Sequence, residues 1–164
     1  MCPENPMGYL YLGWVYHHDY VLGNTKSPRE TLEKINELAL KALAVDDSIS
    51  SAHVLLGWYH IYKREYEKAI AEGERAMALS PGEPVMLSNY AGFLMFSGRP
   101  EEAITLFQKA IRLSPFGPAS KYVNFGHALR MTGRFEEAVS AYKKSLQLAP
   151  DNIMAHMVWR LPTV

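Results

Sequence analysis

Cysteine is nearly missing from this chain: Cys2 stands alone among 164 residues. No internal disulfide can form, and nothing marks an oxidising compartment, so a cytoplasmic protein is expected. An excess of one charge is missing too, since seventeen Lys and Arg offset seventeen Asp and Glu without a dense basic cluster. Nucleic acid is therefore not an expected partner. No apolar run reaches the length of a bilayer span, and residues 1–10 lack the basic start and apolar middle of a secretion signal, so no membrane association is expected. The N-terminus reads as a start inside a longer chain. Gly8, Gly13 and Gly23 are not spaced as a phosphate-cradling loop, and no cofactor, metal or catalysis is expected.

What is present is repetition. The run GRPEEAITLFQKAIRLSP at 98–115 returns as GRFEEAVSAYKKSLQLAP at 133–150. Pro81 and Pro115 lie 34 residues apart, as do Ala69 and Ala103, and Ala76 and Ala110. The interval from Pro115 to Pro150 is 35, the extra residue falling in the Pro/Gly-marked SPFGPAS stretch. Asp47 takes the place of the proline one period before Pro81. Self-similarity at such a period marks a repeat architecture.

Each period reads as two amphipathic helices, such as SAHVLLGWYHIYKR followed by EYEKAIAEGERAMAL, joined by turns too short for anything but an antiparallel hairpin. Ser27, Pro28 and Glu30 predict a helix start in which the serine side chain caps and the glutamate returns the cap. Pro81, Pro115 and Pro150 end second helices. Gly57, Ala91 and Gly126 share one register position, and Ala69, Ala103 and Ala138 another, which predicts close approach of two backbones there. The Glu pairs at 101–102 and 136–137 suit helix N-termini, and KREYEKAIAEGER has the charge spacing of a solvated face.

These residues resemble the tetratricopeptide repeat (TPR) family. Leu56, Gly57, Ala69, Ala76 and Pro81 carry the pattern in one unit, with Gly73 in place of an aromatic. Leu87, Ala91, Ala103, Phe107, Ala110 and Pro115 carry it in the next, then Tyr122, Gly126, Leu129, Ala138, Tyr142 and Pro150, with Ser145 in an alanine position. The resemblance implies an all-α fold, a right-handed α-solenoid of stacked antiparallel helix pairs. It divides one domain over 1–164 into units near 6–49, 50–83, 84–118 and 119–152 with a partial unit at 153–164. GYLYLGWVY begins the first unit, but Gly13 to Ala42 spans 29 residues where Gly57 to Ala76 spans 19. The ten extra residues, around HHDYVLGNTK, either extend the first helix or form a projecting loop. The run from GW through YEKAIAEGERAMALSP and GRPEEAITLFQKAIRLSPF also resembles the TPR regions of bacterial class III adenylate/guanylate cyclases and related sensory proteins. There the repeats are regulatory, and the catalytic domain has no counterpart in this chain.

In the family, first-helix side chains line a concave peptide groove. Carried over by register, these are Trp14, His17 and His18; Trp58, Ile61 and Tyr62; Asn89, Met95 and Phe96; and Asn124, His127, Arg130 and Met131. An aromatic, Met-rich surface with interspersed amides suits an apolar peptide or helix, so a protein or peptide ligand is the expected partner. Where chaperone-tail clamps carry cations, this chain has Val54, Trp58 and Ser120, which argues against that ligand. Two rival readings stand. MGYLYLGW and AHMVWRLP leave apolar open ends that could self-associate. His17, His18 and Asp19 could hold a metal, although adjacent helical histidines point about 100° apart. His53 and His60 read as packing residues, and Cys2 has no activating neighbour.

Overall fold

The computed structural model describes residues 5–151 and His156. The described residues form eight α-helices and no strand. They are α1 (Pro6–Leu22), α2 (Pro28–Val45), α3 (Ser50–Tyr62), α4 (Tyr66–Leu79), α5 (Pro84–Phe96), α6 (Pro100–Leu113), α7 (Ser120–Met131) and α8 (Phe135–Leu148). They fall into two compact units, Met1–Gly82 with α1 to α4 and Glu83–Val164 with α5 to α8. Within each unit two antiparallel hairpins stack, the second helix of one against the first helix of the next. This is an all-α helical-repeat fold. No helix among the described residues is long and apolar enough to cross a membrane. The half-repeat expected near 153–164 lies, apart from His156, outside the described residues.

The hairpins turn alike because their first helices end alike. Gly23, Gly98 and Gly133 adopt φ of 70°, 81° and 76°, the left-handed region that closes a helix without a Cβ clash. In each, the left-handed residue and its successor donate back to carbonyls of the last turn, as in Gly98 N to Met95 O and Arg99 N to Leu94 O. The α3–α4 turn makes the same pair of bonds with Arg64 at φ 60°. Second helices stop as the prolines require: Ser80, Ser114 and Ala149 leave the helical region just before Pro81, Pro115 and Pro150.

The repeated small residues seat side chains more than backbones. A Cβ built on Gly126 would enter the Tyr142 ring, and one on Gly13 would lie 2.5 Å from Leu55 Cδ2. The expected close approach at the glycine register is thus a ring or leucine lying in the gap. Ala69, Ala103 and Ala138 are buried. Ser145 is fully buried in its alanine position and donates its hydroxyl to the Ala119 carbonyl at 3.0 Å, which offsets the polar group's burial.

The ten inserted residues lengthen a whole hairpin. α1 and α2 have 17 and 18 residues against 13 and 14 in α3 and α4, and their turn has five residues against three. About one helical turn is added to each arm, with the remainder in the connection. The capping expectation at Ser27 needs correction. Pro28 does open α2, but the Ser27 side chain makes no cap hydrogen bond. Its backbone N–H instead donates to Thr25 Oγ1 at 3.2 Å, and Thr25 and Thr31 share a 2.6 Å hydroxyl contact. The Thr25 hydroxyl thus accepts the Ser27 N–H bond that the returning glutamate was expected to take.

Candidate functional site

In the first unit α1 and α3 are neighbouring first helices, and their aromatic side chains meet. The His17 ring lies 5.1 Å from Trp14, 5.9 Å from Trp58 and 5.8 Å from Tyr62, centroid to centroid. Trp58 and Tyr62, one helical turn apart, stack at 6.1 Å, and Tyr20 packs on Tyr62 at 4.7 Å. Tyr62 Oη and His17 Nε2 share a 2.9 Å hydrogen bond. All five side chains are half-buried. Burial, then the charge of neighbouring His18, lowers the His17 pKa from 6.5 to about 4, so the cluster is uncharged at neutral pH. Burial, with Tyr20 alongside, also pushes the Tyr62 phenol well up.

The sequence-derived residues of this unit are thus partly reunited. Trp14, His17, Trp58 and Tyr62 form one cluster; His18 is exposed, and Ile61 is buried in the core rather than lining a surface. Tyr20 was missed, because it lies in the inserted stretch where the repeat supplies no register. Its spacing of three from His17 on a continuous helix is the signal that would have found it. Among the described residues no group of three or more His, Cys, Asp and Glu could hold a metal ion, and His17 is engaged with Tyr62. Cys2 lies outside the described residues.

The second unit places its residues differently. Asn89 and Asn124 line one small cavity of about 80 Å³ between α5 and α7, with Val85, Ser88, Ser120 and Lys121. Asn89 Nδ2 donates to the Val85 carbonyl at 2.8 Å. Lys121, 4% exposed, donates Nζ to the carbonyl of Ser114 at the end of α6, and burial lowers its pKa. That places a cation at a helix C-terminus, where the dipole favours it. Tyr122 Oη donates to the next carbonyl, Pro115, at 2.8 Å. His127 lies edge-on to Tyr142 at 5.7 Å, and burial, then Arg130, lowers its pKa. Phe96 is 47% exposed, and Arg130 and Met131 are exposed as well. Met95 is buried, so that part of the expected surface belongs to the core.

A buried polar pair in the first unit also lacks any counterpart in the second. His53 Nδ1 lies 2.6 Å from Glu72 Oε2, and its Nε2 lies 3.1 Å from the Asp47 carbonyl. Arg75 reaches Glu72 Oε1 at 3.3 Å. By register the equivalents are Leu87 with Leu106 and Tyr122 with Ala141. His60 pairs with Glu65 at 2.7 Å, closing the α3–α4 turn.

Residues 83–151 match the family model described as tetratricopeptide repeat. Over that stretch the chain is similar to tetratricopeptide repeats. Anaphase-promoting complex subunit 7 of Homo sapiens is 30% identical to it over 84 residues, 51% of this chain and 15% of the relative, and the Mus musculus protein matches equally. A solved structure of Pseudomonas aeruginosa pilF has TM-score 0.66 and 27% identity, covering 90% of this chain and 62% of that one. The first TPR of Spaghetti (RPAP3), bound to the HSP90 peptide SRMEEVD, has TM-score 0.61 and 23% identity, covering 68% and 87%. The chain spans 15% of the length of its curated relatives and under two thirds of the pilF chain. The TPR fold is consistent with protein binding, and the RPAP3 repeats hold a peptide.

Proposed function

We propose that the chain is a non-catalytic protein- or peptide-binding module, the regulatory or partner-recognition part of a larger bacterial signalling protein in the cytoplasm. The observation that carries this reading is the aromatic cluster of the first unit. Trp14 and His17 stand more than forty residues before Trp58 and Tyr62 in sequence, yet the rings of the two pairs meet. Half-buried tryptophan and tyrosine supply large contact area at small entropic cost, which is why such residues dominate interface energetics. Support for binding comes from the peptide held by the RPAP3 repeats of the same fold. The likeness to regulatory TPR regions of bacterial cyclases supports the signalling context. In the second unit Asn89, Asn124, His127, Arg130 and Phe96 would contribute amides, a cation and one exposed ring.

The test changes Trp58→Ala and Tyr62→Ala together and compares partner capture with the unaltered chain. Loss of partners with helicity retained is expected; unchanged capture of every partner contradicts the reading. A second reading, self-association, is favoured by the outer side of α1, where Met7, Tyr11, Leu12 and Val15 are 58%, 77%, 45% and 41% exposed. Sedimentation across concentration checks it, and a monomer at high concentration would exclude it.

A further inference from the structure

The chemistry of the first unit narrows the ligand that its aromatic face would take, and this step rests on the binding reading above. The neutral total conceals a division: Met1–Gly82 holds eleven acidic and eight basic side chains, Glu83–Val164 six and nine. The unit with the clustered rings is thus the acidic one. Aromatic faces are themselves electronegative and attract ammonium and guanidinium groups, Trp most strongly. This unit already seats its own cations in that way, with Lys41 Nζ 5.9 Å from the Tyr9 centroid and Lys63 Nζ 5.9 Å from that of Tyr59. Within the cluster His17 is held neutral, so it does not repel a cation. Asp19, next to Tyr20 in sequence and half-exposed, has no ion pair with a described residue.

We propose that the face formed by Trp14, Tyr20, Trp58 and Tyr62 takes a Lys or Arg side chain of a partner peptide, the cation lying over the rings and the flanking apolar residues of the peptide against them. An uncharged apolar segment gains the area but not the charge, and an acidic one meets both negative rings and a negative unit.

Three synthetic peptides of one apolar sequence, with Arg, its uncharged isostere citrulline, or Glu at the centre, are titrated against the full chain while tryptophan fluorescence is followed. The Arg peptide is expected to bind about tenfold more tightly than the citrulline peptide, with the Glu peptide weakest. Trp58→Leu should abolish the Arg preference, whereas Trp58→Tyr, which keeps a ring, and Phe96→Leu in the second unit should retain it. Equal binding of the Arg and citrulline peptides, or a preference that survives Trp58→Leu, overturns the cation assignment and leaves the binding face intact. Failure of all three peptides to bind at millimolar concentration removes both.

Discussion

The two units build the same pair of stacked hairpins but put their aromatic side chains in different places. In Glu83–Val164 the rings fill the hairpins: Phe107 is fully buried, and Tyr142 lies over Gly126. In Met1–Gly82 the register positions of those two rings hold Ala39 and Gly73, and the large rings stand on the first helices as Trp14, Trp58 and Tyr62. The positions matching Trp58 are Gly92 and His127. A repeat scaffold therefore tolerates moving its aromatic mass from between the helices to the exposed side of the stack, provided the vacated core is closed by smaller groups. In the first unit the buried cluster is mainly aliphatic, with Leu10, Leu32, Ile35, Leu55 and Leu56 beside Tyr59. The other contrast is polarity, with a buried His53–Glu72 pair set against leucine, tyrosine and alanine.

Importing the second unit's residues at that pair should give the largest effect. His53→Leu alone leaves the Glu72 carboxylate buried with only Arg75 near, and is expected to cost about 3 kcal/mol in urea unfolding. His53→Leu with Glu72→Leu, the Leu87–Leu106 combination, should restore stability to within about 1 kcal/mol of the native chain or exceed it. Additive losses would show that the pair is not a self-contained substitute for apolar packing. A smaller effect follows from His17, whose folded pKa near 4 lies below its ordinary 6.5. Between those values the unfolded chain binds a proton that the folded chain does not, so stability falls as pH drops through the window. The difference amounts to up to about 3 kcal/mol at full protonation and about half of that at pH 5. Unfolding at pH 7 and pH 5 should show this loss in the native chain and a clearly smaller one in His17→Phe, where only groups such as the buried His127 still contribute. Smallest is the turn. Arg64 occupies the left-handed conformation that glycine fills in the other three hairpins, so Arg64→Gly should raise stability by about 0.5–1 kcal/mol, readable as a higher Tm.

Much of the fold was legible because the 34-residue period fixes where helices start, stop and face. The hairpin extension was not, because residues 17–27 read equally as helix or loop until Gly23 is seen to end α1 and Pro28 to open α2. Tyr20 was lost with it. His53 and Glu72 stand 19 residues apart in positions that the repeat fills with apolar residues, so each alone looked like a tolerated departure. Only both departures in one repeat hint at a pair. Trp14, Trp58 and Tyr62 could be named from register, but register does not say that His17 sits among them. Ile61 and Met95 adjoin groove positions in register yet are buried, because a helix turns 100° per residue and a neighbour of a groove position can face the core.

The account depends on the rings of Trp14, Trp58 and Tyr62 in the first unit being a working surface and those of Phe107 and Tyr142 in the second being core. Equilibrium unfolding of Trp58→Ala beside Phe107→Ala tests this most directly. Phe107→Ala should cost about 3–5 kcal/mol as a fully buried ring replaced by a cavity, and Trp58→Ala clearly less, about 1 kcal/mol, because its ring is already half in water. Equal losses would mean that the tryptophan holds the fold together and that the chain keeps no aromatic face in reserve for a partner.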